Sequence, residues 1–113
     1  MLNYVKSSEK WWREFLTQTG YTPITTFFND LSISDCFGEP AIRTTYCEVL
    51  EEWGTDIKYI TEFVLCLNHK IWQLYKVNEP LARLYDELWR ECSQYVVENF
   101  EGEDLAYYYN VID

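Results

Sequence analysis

Ile57-Lys58-Tyr59-Ile60-Thr61-Glu62-Phe63-Val64-Leu65-Cys66-Leu67-Asn68-His69-Lys70-Ile71-Trp72-Gln73-Leu74-Tyr75 is the stretch on which the fold turns. Ile57, Ile60, Val64, Leu67, Ile71 and Leu74 recur every three or four residues, the spacing of one face of an α-helix. Phe63, Trp72 and Tyr75 broaden that stripe. A helix that is apolar over more than one face belongs in the interior, so this is expected to be the most buried element. Thr55 or Asp56 opens it, and it ends near Val77.

Working outward, Glu39-Pro40 is a start signal, because proline suits the first helical turn, where its missing N–H costs nothing. Ile42, Tyr46, Val49, Leu50 and Trp53 then line one face, and Gly54 closes the helix. Asn78-Glu79-Pro80 repeats that grammar, with Asn as cap. Leu81, Leu84, Tyr85, Leu88, Cys92, Tyr95, Val96 and Asn99 follow at helical spacing. Arg83, Asp86, Glu87, Arg90 and Glu91 form the outer face, with Asp86 and Arg90 in the favourable i, i+4 order.

Glu101-Gly102 breaks the chain, and Glu103 to Asn110 reads as a short helix with acids at its N-terminus, as the macrodipole favours. Upstream, Ser8 caps a helix carrying Trp11, Trp12, Phe15 and Leu16 that ends at Gly20; Tyr21-Thr22-Pro23 is a turn. Residues 24–38 are less regular and read as two short helical pieces closed by Gly38. Residues 1–7 read as a loosely held lead. No alternation typical of a strand persists. The expectation is one all-α domain over 1–113, an array of five or six helices. Its centre is the helices near 40–53, 56–76 and 80–100, and connections of two to four residues favour antiparallel neighbours.

The chain has 113 residues, 48% of them hydrophobic and 25% charged, the balance of a globular chain. Its formal net charge is −10. That argues against binding duplex nucleic acid or an anionic membrane, both of which call for Lys and Arg. Five Trp, ten Tyr and six Phe are more rings than one small core holds, and surplus Tyr and Trp are typical of interfaces. Cys36, Cys47, Cys66 and Cys92 are widely spaced, with no Cys-x-x-Cys. Met1 to Lys6 has no apolar secretory core, so the thiols are expected to be reduced, structural and cytoplasmic. No apolar run reaches the roughly 20 residues of a membrane span.

Chemical constellations are sparse. His69 is the only histidine; on a helical wheel it shares a face with Glu62, Gln73 and Lys76, and it is expected to face water or the edge of a contact. Di-iron carboxylate bundles need Glu-x-x-His on two helices, and Cys66 stands three residues before His69. One His and four scattered Cys are weak material for zinc, and the glycines make no phosphate loop. No catalytic residue, cofactor or metal ligand is assigned. Acids are plentiful, but nothing selects a hydrolytic pair.

Consecutive aromatics are more informative: Trp11-Trp12, Phe27-Phe28 and Tyr107-Tyr108-Tyr109. Helical neighbours point about 100° apart, so three tyrosines in a row cannot all enter one core. Two rings tucked under a terminal helix, or an aromatic, acid-rimmed contact surface, both fit. Trp11, Trp12, Tyr107, Tyr108 and Tyr109 are therefore the candidate partner contacts.

Four segments carry a resemblance: Thr26-Phe27-Phe28-Asn29-Asp30-Leu31-Ser32-Ile33-Ser34-Asp35-Cys36-Phe37-Gly38, Tyr59-Ile60-Thr61-Glu62-Phe63-Val64, Leu67-Asn68-His69-Lys70-Ile71-Trp72, and Tyr107-Tyr108-Tyr109-Asn110-Val111-Ile112-Asp113. Over about residues 20–113 the chain resembles a group of small acidic proteins carried by Bacteroidetes genomes, phages and conjugative elements. That group has no established activity or cofactor to carry over. It often has Trp where His69 stands and a basic residue where Cys36 stands, which speaks against a catalytic role for either. The resemblance implies an accessory protein of a mobile or host-associated element.

The leading expectation is a non-enzymatic, cytoplasmic protein-binding or self-associating module. The alternatives are an acidic nucleic-acid mimic that blocks a defence or DNA-binding protein, and a small hydrolase or metal protein.

Overall fold

A computed structural model describes residues 23–112 and is all-α, with no strand among the described residues. Five helices follow one another: α1 (Pro23–Asp35), α2 (Glu39–Trp53), α3 (Ile57–Leu74), α4 (Glu79–Asn99) and α5 (Glu103–Ile112). The expected lead at 1–7, the helix between Ser8 and Gly20, and Trp11 and Trp12 lie outside the described residues.

The start signals operate as their chemistry requires. Asp56 caps α3, its carboxylate accepting from the backbone N–H of Lys58 at 3.0 Å and Tyr59 at 3.3 Å. Asn78 caps α4 through Leu81 N–H at 3.3 Å, with Pro80 in the first turn. Two expectations need correction upstream. Residues 24–38 are one helix and a turn, not two short pieces, and Pro23 begins that helix instead of sitting in a turn. Ser32 and Ser34 do not break it: Ser34 Oγ donates back to the Asp30 carbonyl at 2.8 Å, satisfying its hydroxyl within the helix. That leaves Thr45 to donate to Ser34 Oγ at 2.6 Å, stitching α1 to α2. Gly38, at φ +94°, makes the reversal between them, a backbone state that few residues other than glycine adopt.

Paired contacts give the helix directions. Phe27 meets Phe63 and Asp35 meets Lys70, so α1 runs parallel to α3. Arg43 meets Glu87 at 2.9 Å and the Tyr95 hydroxyl donates to the Gly54 carbonyl at 2.7 Å, so α2 runs alongside α4 in the same direction. Sequential neighbours are antiparallel, an up-down-up-down arrangement. α5 lies against α3.

The centre is aromatic. Phe27 packs edge-on against Phe63 (ring centroids 5.4 Å apart) and Trp53 (6.0 Å), and Tyr46 lies 5.9 Å from Phe63. Such pairs add about 0.5–1.5 kcal/mol beyond their burial. In α3 every residue from Phe63 to Ile71 is buried. His69 is therefore buried, stacked on Trp72 with centroids 6.4 Å apart, and not facing water. A helical wheel assumes one wet face, and the middle of α3 has none. The same stripe overreaches at its end: Trp72 and Tyr75 are exposed. Asn99, at the end of the α4 stripe, is likewise exposed and bonds only to the Tyr95 carbonyl.

Gly54 fills the tight corner between α2 and α3. A Cβ there would come within 2.8 Å of the Tyr95 hydroxyl and closer still to the Leu50 carbonyl. Gly54→Ala is expected to cost about 1–3 kcal/mol, read as a lower urea midpoint with an unchanged slope.

Candidate functional site

The most developed polar arrangement joins three helices at one end of the array. Asp35 is the last residue of α1. Cys36, Phe37 and Gly38 N–H groups bond back to the Ile33 and Ser34 carbonyls at 2.9–3.2 Å, fixing the chain where Asp35 leaves the helix. One Asp35 oxygen, Oδ2, pairs with Lys70 Nζ of α3. The other, Oδ1, accepts the Tyr85 hydroxyl of α4. The Tyr85 oxygen also stands 3.4 Å from the Leu31 carbonyl, and Lys70 Nζ lies 5.5 Å from the centre of the Tyr85 ring. Lys70 is only 4% exposed and Tyr85 is fully buried, while the Asp35 side chain keeps 17% of its surface.

The chemistry of this trio is structural in character. Burial, then the hydrogen bond and charge of Asp35, push the Tyr85 phenol far above its ordinary value, so it stays a neutral donor. Cys66, one turn before Lys70, is raised by burial despite that ammonium. A thiol held protonated is a poor nucleophile. Cys92 is raised by burial as well, whereas Cys36 and Cys47 are exposed. No disulfide is formed among these four. Among the described residues no group of three His, Cys, Asp or Glu side chains is placed to hold a metal ion.

The sequence-derived contact residues divide. Tyr108 is buried, Tyr107 is half-buried and Tyr109 is 43% exposed, its ring edge-on to Tyr108 at 5.5 Å. That is the splay that consecutive helical positions impose. The structure does not bring them to the Asp35 trio. Sequence reasoning missed the trio itself, although Lys70 carried a signal. It falls on the same face as Phe63, Cys66 and Leu67, and a cation on a core face calls for a buried partner. It also missed the apolar end beside the trio. Ile33 and Phe37, which is 75% exposed, flank Asp35. Trp72, Tyr75 and Val77, which is 83% exposed, follow Lys70.

Charge is sorted along the array. Among the described residues the arginines are paired with acids: Arg43 with Glu39 (3.7 Å) and Glu87 (2.9 Å), Arg83 with Glu79 (2.5 Å), Arg90 with Asp86 (3.1 Å). Beyond Arg43 in α2 and beyond Arg90 in the rest of the described chain there is no base. Glu48, Glu51, Glu52, Glu91, Glu98, Glu101, Glu103 and Asp104 are left exposed there. No helix among the described residues is long and apolar enough to cross a membrane. No family model matches the chain, and neither a curated protein nor a solved structure matches it.

Removing one member of the buried pair strands the other. Lys70→Met is expected to cost about 3 kcal/mol, the low end of the range for a broken buried pair because Asp35 is partly wet. Lys70→Met with Asp35→Asn is expected to recover part of that loss, since the amide still accepts from Tyr85. Urea denaturation of the two variants checks both.

Proposed function

We propose that this is a non-enzymatic protein-binding module that engages its partner through the end where α1 and α3 finish. The observation that carries this reading is the exposure of Ile33, Phe37, Trp72, Tyr75 and Val77 on either side of the Asp35–Lys70 pair. Scattered single apolar residues on a surface are ordinary, but these five stand on, or just beyond, the last turns of the two helices that the Asp35–Lys70 pair ties together, and a contact surface built from them is what this reading supposes. The tie matters because a docking surface held in place loses little freedom on binding. The buried tyrosine and thiols, held protonated, are suited to packing and not to catalysis. An accessory role in a mobile or host-associated element, acting in the cytoplasm, fits such a module and belongs to the same proposal.

A second reading, an acidic mimic that occupies a nucleic-acid-binding surface, draws support from the last turns of α2 and α4, which carry acids and no base of their own, Lys58 at the start of α3 being an exposed cation at that end. Glu51, Glu52 and Glu98 sit in the last turns of their helices, where the macrodipole disfavours negative charge by about 0.3–1 kcal/mol each. Acids kept there against that cost suit a basic partner.

Affinity capture with the wild type and with Phe37→Glu/Tyr75→Glu tests the first reading, with light scattering to detect self-association. One partner, or a second copy, held by the wild type and lost at least tenfold in the variant is expected, with equal thermal melts. Equal capture by both proteins, or a strict monomer that retains nothing, refutes it. Capture that survives the variant but collapses between 50 and 200 mM salt, as about 10³-fold losses do for phosphate-like contacts, transfers support to the mimic.

A further inference from the structure

α5 is attached less fully than the helices beneath it. Tyr108 is its one buried residue, with Leu105, Tyr107, Val111 and Ile112 half-buried and the others exposed. It follows α4 through Phe100, Glu101 and Gly102, and Gly102 takes φ +64° with open space where a Cβ would stand. Phe100 is anchored edge-on to Tyr95, ring centroids 6.5 Å apart, so the hinge is the exposed Glu101-Gly102 step. Beneath α5, on α3, Glu62 is half-buried, with Oε2 sealed from solvent and lacking a hydrogen-bond partner. Its charged neighbours on α3 are Asp56 and Lys58. From α5 it is faced by Tyr107, whose phenol is raised by burial and then by the Glu62 and Asp56 carboxylates. Glu103 and Asp104 add exposed charge in the first turn of α5. His69 lies on the same side of α3, about 10 Å further along its axis at 1.5 Å per residue.

We propose that α5 is a pH-gated lid: ionisation of Glu62 beneath it loosens the helix, and protonation seats it.

A carboxylate with one oxygen shut away from water and from any donor is costly when charged and tolerable when neutral. Burial first, then the charge of Asp56, with Lys58 opposing, push the Glu62 carboxyl up from 4.5 to about 7. Lifting α5 readmits water and returns the group to its ordinary value. The closed form therefore binds the proton more tightly than the open form. Its advantage is complete below about pH 4.5 and is lost as pH rises through about 7. Between pH 6 and pH 8 the open-to-closed ratio rises about tenfold by that linkage. Opening uncovers Tyr108 and turns Tyr107, Tyr108 and Tyr109 together toward solvent. The lid stands apart from the docking reading, since its contacts are at the opposite end from Phe37 and Tyr75.

Amide hydrogen exchange of the full chain at pH 6 and pH 8, corrected for the intrinsic pH dependence, tests the lid against Glu62→Gln. The expected result is a fall in protection of about tenfold over residues 105–112 in the wild type and none in the variant, with α3 and α4 protection changing little in either. A fall of the same size in Glu62→Gln overturns the proposal and points to His69 or another titrating group. A fall spread evenly over α3, α4 and α5 also overturns it, because Glu62 would then act on the whole fold. Protection that is flat or rising with pH in the wild type does so too.

Discussion

A single carboxylate, Asp35, accepts from a lysine of one helix and a tyrosine of another while ending a third, and the arrangement of α1, α3 and α4 depends on that convergence. Apolar burial alone permits α1 to slide along α3, since Phe27 and Leu31 meet a continuous apolar surface. An ion pair and a phenolic hydrogen bond in a dry setting have one geometry, and they select the register. The same point fixes where the chain reverses into α2, because Gly38 follows three residues later. What the trio contributes is specificity of packing, supplied at some cost in desolvation.

The trio also explains why the two ends of the array differ. At its end, Lys70, Arg43 and Arg83 are paired with acids, and apolar side chains stand in solvent beside them. At the other end, α2 and α4 finish in unmatched acids, and α5 is laid over α3 where Glu62 is half-buried. The exposed apolar side chains and the half-buried Glu62 are thus separated along the long direction of the helices. Each end carries the residue types suited to a different physical task.

Much of the architecture was legible in the residues. The apolar spacing of Ile60, Val64, Leu67 and Ile71, the Asp56 and Asn78 caps, and Pro40 and Pro80 locate α2, α3 and α4 to within about two residues. The splay of Tyr107, Tyr108 and Tyr109 follows from the helical repeat. What periodicity does not contain is which helix sits beside which face. His69 reads as outward on a helical wheel, which knows nothing of α3's neighbours on several sides, and it is buried. Trp72 and Tyr75 read as part of the buried stripe because their types are apolar, and only the tertiary structure shows them exposed. The Asp35–Lys70–Tyr85 trio spans fifty residues of chain, so no local pattern announces it.

The joints between successive helices are only three or four residues long, at 36–38, 54–56, 75–78 and 100–102. α1 with α2 and α3 with α4 can therefore dock as hairpins with little loop-closure entropy, whereas α5 crosses to α3. The Asp35–Tyr85 bond closes a far longer loop than any hairpin contact. A contact that forms only after the hairpins have met acts on the unfolding rate and leaves the rate of collapse nearly unchanged.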